Sequence, residues 1–318
     1  MLFLRSLLVF LLLVSAALAQ DPPSYWAGEW PRTDFSKASV DFAEIQSGGP
    51  PKDGIPSIDD PQFLPLDGVT SLAGSEPVIG LTVEGVSRAY PLRVLIWHEI
   101  VNDVIAGVPV AVTYCPLCNA AIVFDRRVGG DVLEFGTTGK LRKSDLVMYD
   151  RQSESWWQQF LGEAIVGERT GQRLKVLPAR LESFASFRER VSEGEVLVPS
   201  NENLRPYGAN PYSGYDSSSF PFLYQGDMPE GIEPLAYVVA VDDQAWPLSR
   251  LQEAGRVEEA GLVLEWRSGM NSALDSSEIA KGKDIGQVVV TRGGDLIAHD
   301  VTFAFVFHAF RPDGEFRF

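Results

Sequence analysis

The only two cysteines of the chain stand three apart in Tyr114-Cys115-Pro116-Leu117-Cys118-Asn119, at the end of an apolar run. Two thiols at this spacing can close a disulfide, share a soft metal or work as a dithiol redox pair. A Cys115–Cys118 disulfide would close so short a loop that its chain-entropy gain is small, which makes stability a weak reason for the pair. The pattern upstream supplies a third candidate group. Between Ile100 and Tyr114 lies Ala106-Gly107. If these form a two-residue turn, Ile105 pairs with Val108, and counting outward along an antiparallel ladder sets His98 opposite Cys115. The expected metal site is therefore Cys115, Cys118 and His98, with Glu99, Asn102, Tyr114 and Asn119 in support.

Copper(I) and zinc are the metals this donor set suits. Copper(I) favours thiolates and accepts few ligands, whereas zinc takes four and would draw a further one from His299, His308 or a carboxylate. A thiol–disulfide redox protein is the first alternative, and it would need a scaffold other than thioredoxin. That fold places a long helix after the motif, while Ala120 to Asp125 here reads as a strand ending in a glycine turn. The second alternative is a non-catalytic binding module with a structural disulfide and a core His98. Tyr207, Tyr212, Tyr215 and Tyr224, with Trp156 and Trp157, would then line an aromatic cleft for a sugar or peptide. Asp145, Asp150 and Glu154 invite a hydrolytic reading as paired carboxylates, but nothing in the sequence fixes their separation.

The compartment bears on the thiols. Met1-Leu2-Phe3-Leu4-Arg5, an uncharged apolar run from Ser6 to Leu18 and the small-residue step Ala17-Leu18-Ala19 form the pattern of a secretory signal peptide at 1–19. The run is too short for a comfortable membrane span, which needs about 20 residues. The expected location is periplasmic or extracellular, where free thiols oxidise unless a metal, partner or reductant holds them. The formal net charge of −16 disfavours nucleic acid and anionic membranes as partners. No small-molecule or protein partner is specified.

The elements that must position the thiols read as mainly β, an α+β chain with few short helices. Residues 20–74 form a loop-rich N-terminal segment, and residues 75–200 a first β-rich half carrying the Cys-x-x-Cys site. Residues 201–233 form an ordered linker loop and 234–318 a second, shorter β-rich half. In the first half, Val78 to Val83, Glu84-Gly85 and Val86 to Tyr90 read as a hairpin, and Pro91 opens a helix. Ala236 to Val241, Asp242-Asp243 and Ala245-Trp246-Pro247-Leu248 repeat that order, and Leu262 to Trp266 matches Val110 to Tyr114. The reading is an internal duplication giving two related halves, barrel-like or sandwich-like. Arg267 and Met270 then fall where the first half has Cys115 and Cys118. Leu181, Phe184, Phe187 and Val191 suggest a helix, Val301 to Phe310 an apolar strand-like run, and Trp156-Trp157 one inward and one near-surface ring.

Four motifs together resemble the bacterial and archaeal domain of unknown function 3179 family. They are Ala89-Tyr90-Pro91-Leu92-Arg93, Trp97-His98-Glu99-Ile100-Val101-Asn102-Asp103, Thr113 to Cys118, and Ser144-Asp145-Leu146-Val147-Met148-Tyr149-Asp150-Arg151. The resemblance runs from about Pro56 onward. It implies exported proteins and brings no established activity, cofactor or catalytic residue. The chain departs from the family pattern at Phe307-His308-Ala309-Phe310-Arg311-Pro312, where Arg311 precedes the proline.

Overall fold

Short alternating runs separated by glycine turns become antiparallel hairpins in the computed structural model, which describes residues 21–318. The signal peptide expected at 1–19 lies outside the described residues. Strands Pro77–Val83 and Val86–Pro91 pair with Val83 opposite Val86. The turn residues Glu84 and Gly85 both have positive φ, as a tight two-residue hairpin requires. Pro91 is the last strand residue and the N-cap rather than the first helical position, and helix Leu92–His98 follows at once. Leu92, Val94, Leu95 and Ile96 turn into the core.

The next hairpin has the expected register. Strands Ile100–Ile105 and Val108–Cys115 pair with Ile105 opposite Val108, and Ala106 and Gly107 carry φ of 49° and 79°. Strand Ala120–Asp125 then pairs back, with Cys115 opposite Ala120.

The architecture is mainly β with short helices. Among the described residues, five sheets of four or five strands are arranged like the blades of a five-bladed propeller, in place of the expected barrel or sandwich. A barrel would require one ladder closing on itself, whereas here each of these sheets stops after four or five strands. The loop-rich segment contributes to two of these sheets, as strands Ile45–Ser47 and Gln62–Pro65. The main core draws Leu95, Val112, Phe124 and Trp157 together with Trp246, Leu264, Val290 and Phe305, so 75–200 and 234–318 share one apolar interior.

The second half runs through the same order of elements. Strands Tyr237–Val241 and Gln244–Pro247 lead into helix Leu248–Ala254, then strands Arg256–Glu259 and Leu262–Arg267. In both halves the strand before the helix pairs in parallel with a late strand, Glu195–Val198 or Glu315–Phe316. The orders diverge after Arg267. Cys115 meets its partner strand immediately, whereas Arg267 pairs with Gln287 only after a long excursion, so Met270 does not occupy a hairpin tip.

Three local expectations are corrected. Ser183 caps a helix that spans Phe184–Arg190, so Leu181 belongs to strand Arg180–Ser183. The run to Phe310 turns from strand Asp300–Phe303 into helix Ala304–Phe310. Both Trp156 and Trp157 are fully buried, because their strand lies inside a sheet covered on both faces. Trp156 packs on Trp26 and Trp30 with centroids 4.9 and 5.3 Å away, and Trp157 meets Phe135 at 5.7 Å.

Candidate metal centre

The cysteine motif is the tip of a hairpin. Cys115 ends its strand, Pro116–Cys118 makes one 3-10 turn, and Asn119 closes it in the left-handed conformation. Asparagine tolerates that conformation better than most side chains. The second half holds the tip in place: Thr302 Oγ1 donates to the Cys118 carbonyl at 2.7 Å, and Asn119 Nδ2 donates to the Val301 carbonyl at 2.9 Å. Tyr114 Oη donates to Asn119 Oδ1 at 3.2 Å.

A third donor comes from another sheet. Strand Asp145–Asp150 begins directly below the tip, after a turn in which Lys143 and Ser144 both have positive φ. Cys115 Sγ, Cys118 Sγ and a carboxylate oxygen of Asp145 lie within 4.8 Å of one another, and all three residues are buried. Asp145 is oriented from behind, its Oδ2 accepting from Gln158 Nε2 at 2.6 Å and from the Phe160 amide at 2.9 Å. Its Oδ1 is buried with no hydrogen-bond partner. A buried carboxylate oxygen left unpaired is costly, and such groups are normally satisfied by a donor or a cation.

Glu99 is joined to the strand that leads to the tip through its carbonyl, which accepts from the Tyr114 amide at 2.8 Å. It sits between helix Leu92–His98 and strand Ile100–Ile105, with 7% of its surface exposed. Burial and the charge of Asp145 raise its carboxyl to about 8. Burial likewise raises Asp145 to about 6, against the hydrogen bonds from Phe160 and Gln158 and the pull of the neighbouring Cys118 and Cys115 thiols, which lower it. Burial pushes up both thiols as well. For Cys115 the bond with Cys118 partly offsets this while the charges of Asp145 and Glu99 add to it, and Cys118 is raised further. The two thiols and Asp145 thus share one buried space, and no Lys or Arg forms an ion pair with Asp145 or Glu99 among the described residues.

The long loop roofs this space. Tyr212 and Tyr215, both pushed upward by burial, feel the charges of Glu99 and the two thiols. Ser144 Oγ donates to the Phe222 carbonyl at 2.5 Å and the Phe222 amide donates to Tyr215 Oη at 3.2 Å, latching the loop to the turn before Asp145.

His98 is not brought to the thiols. The helix runs through it and Glu99 turns with φ of 59°, so the ladder ends at Ile100 opposite Thr113 and the outward count stops short. Its Nδ1 donates to the Pro56 carbonyl at 2.8 Å, which leaves Nε2 to accept from Tyr207 Oη at 2.8 Å. Burial lowers its pKa against the Pro56 bond. Asn102 ties its strand to Phe135 and Asp59 instead of facing the pocket. His299 bonds the carbonyls of Ile297 and Val288.

Residues 52–314 match the sequence profile of a family described as Protein of unknown function (DUF3179). The chain belongs to this family. The DUF3179 match covers Glu99, Cys115, Cys118 and Asp145, so the whole candidate centre lies in the family region. No curated protein and no solved structure matches the chain. Sequence reasoning does not assign Asp145 to the thiols. The available signal is its position within Ser144 to Arg151, one of the four motifs that carry the family resemblance.

Proposed function

We propose that this is an exported metal-binding protein whose centre, Cys115, Cys118 and Asp145, holds a zinc-like divalent cation. The observation that carries the reading is the gathering of two thiols and one oriented carboxylate, with an unpaired buried oxygen, inside 4.8 Å. A set of two thiolates and a carboxylate mixes soft and hard donors, which zinc accepts and copper(I) does not need. A dication also relieves the mutual repulsion of the thiolates and carboxylates, and loading it displaces the protons that burial holds on them. The apolar leader with its Ala17-Leu18-Ala19 step supports export.

Thiol–disulfide exchange fits less well. An attacking thiol must be a thiolate and reachable, whereas both sulfurs here are buried and raised. Trp156 and Trp157 are core residues, which removes the widest part of the aromatic cleft a binding module would offer. The parallel element order of the two halves supports an origin by duplication, with thiols kept in one copy.

The test is metal content. The mature chain, purified without chelators, should carry close to one zinc and little copper. Absence of both metals, persisting through anaerobic titration with zinc and copper(I), contradicts the reading.

A further inference from the structure

A chain with 43 acidic and 27 basic residues offers most arginines a carboxylate partner. Arg88, Arg93, Arg127 and Arg190 hold Asp103, Glu76, Asp125 and Glu182 at 2.5 to 2.8 Å. Arg180 and Arg267 are exceptions. Among the described residues neither side chain forms an ion pair or a hydrogen bond, and both residues line one cavity of about 450 Å³.

The cavity lies where the two halves meet. Strand Arg180–Ser183 and helix Phe184–Arg190 line it from the first half, and strands Leu262–Arg267 and Gln287–Arg292 from the second. One wall is fixed by Gln287, whose Oε1 accepts from the Ser183 amide at 2.6 Å while its Nε2 donates to Ser186 Oγ at 2.5 Å. Arg190 lines the cavity too, paired with Glu182. A Cβ on Gly80 would collide with both partners, so glycine there makes room for the pair. Buried Leu181 and Val288 add apolar surface.

The charges do not cancel. Of the carboxylates around the cavity, Glu182 is held by Arg190 and Glu265 by Arg256, which leaves Glu189 alone against Arg180 and Arg267. Burial and the charge of Arg190 lower the Arg180 pKa, with Glu182 opposing and Arg267 adding to the effect. Half-buried Arg180 has no nitrogen sealed from solvent, so its donors stay open to the cavity it lines. We propose that this cavity binds a small organic dianion, a phosphate ester or a dicarboxylate, clasped by Arg180 and Arg267. The guanidinium fork matches the oxygens of either group, and the volume is in the range of about 300–1,000 Å³ usual for small-ligand sites. The site shares no residue with the cysteine centre and does not depend on it.

The test is calorimetric titration of the full-length mature chain with glycerol 2-phosphate and with succinate, in phosphate-free buffer at about 0.15 M salt, where distant surface charges are screened. One probe should saturate a single site, and the preferred probe names the ligand class. Arg180→Gln and Arg267→Gln should each weaken that probe about tenfold or more. Arg188→Gln removes a guanidinium that does not line the cavity and should leave affinity within about twofold. Arg267 is exposed, so its variant keeps the test valid should Arg180→Gln fold poorly. Failure of both probes to saturate the parent overturns the proposal. Parent-like affinity in the cavity variants overturns it as well, and so does an equal loss in Arg188→Gln.

Discussion

Two helix-to-hairpin corners of this molecule share a backbone and differ in chemistry. At one, Glu99 follows helix Leu92–His98 and strand Val108–Cys115 ends in the thiol tip. At the other, Gly255 follows helix Leu248–Ala254 and strand Leu262–Arg267 ends in exposed Arg267. Since the second corner folds with a glycine turn and no thiols, the fold does not need Glu99 or the cysteines. Their cost is borne in the first corner alone, where Glu99 is buried and the two thiols meet buried Asp145. The difference locates function at residues that make their own corner less comfortable, a pattern expected where binding rather than stability sets residue choice.

The largest effect should come from removing a sulfur. Cys118→Ser should lower zinc affinity by more than ~100-fold, beyond the ~10–100-fold typical of losing an outer-shell partner, measured by chelator competition. Asp145→Asn comes next. It keeps one oxygen for Phe160 or Gln158 but removes the charge, and a loss on the order of 10- to 100-fold is expected in the same assay. Equal affinity in either variant would move the centre elsewhere.

Building the strained corner into the plain half sharpens the contrast. A Cβ at Gly255 meets nothing within 4 Å, so Gly255→Glu adds backbone strain without a clash. It should destabilise the protein by about 1–3 kcal/mol in denaturant unfolding and bind no additional metal. A neutral result would show that this turn tolerates a side chain in either half.

The two corners also differ in pH response. In the metal-free protein the folded state holds protons on Asp145 up to about 6 and on Glu99 up to about 8, above the ordinary 3.8 and 4.5. The folded chain therefore binds more protons than the unfolded one across that range, and stability falls as pH rises from about 4 to about 8. Glu99→Gly should flatten the upper part of this fall, which melting curves at pH 5 and pH 8 would resolve. The smallest effect on the centre should be that of His98→Gln. It disturbs the bonds to Pro56 and Tyr207, costing about 1–2 kcal/mol of stability, while zinc affinity stays within about twofold.

How much of this site is legible in the sequence depends on range. The thiol pair is plain because Cys115 and Cys118 are the only cysteines, and the Ala106-Gly107 turn gives the right register near it. His98 is misplaced by outward counting, which treats residues 98–99 as strand, whereas the helix end and the turn at Glu99 rotate His98 toward Pro56 and Tyr207. Asp145 escapes because sheet packing, not local pattern, brings it under the tip. The propeller-like arrangement escapes for the same reason: periodicity identifies strands, and the packing of sheets on one another leaves little trace in it. Adjacent tryptophans suggest unequal exposure, yet an interior strand buries alternate faces equally.

X-ray absorption at the zinc edge of the mature, metal-loaded chain tests the central claim most directly. Two sulfur scatterers near about 2.3 Å and an oxygen shell near about 2.0 Å that includes the Asp145 carboxylate are expected, with the sulfur shell reduced by half in Cys118→Ser. A zinc shell of nitrogen and oxygen alone, or a spectrum unchanged by Cys118→Ser, would contradict a centre built on Cys115, Cys118 and Asp145.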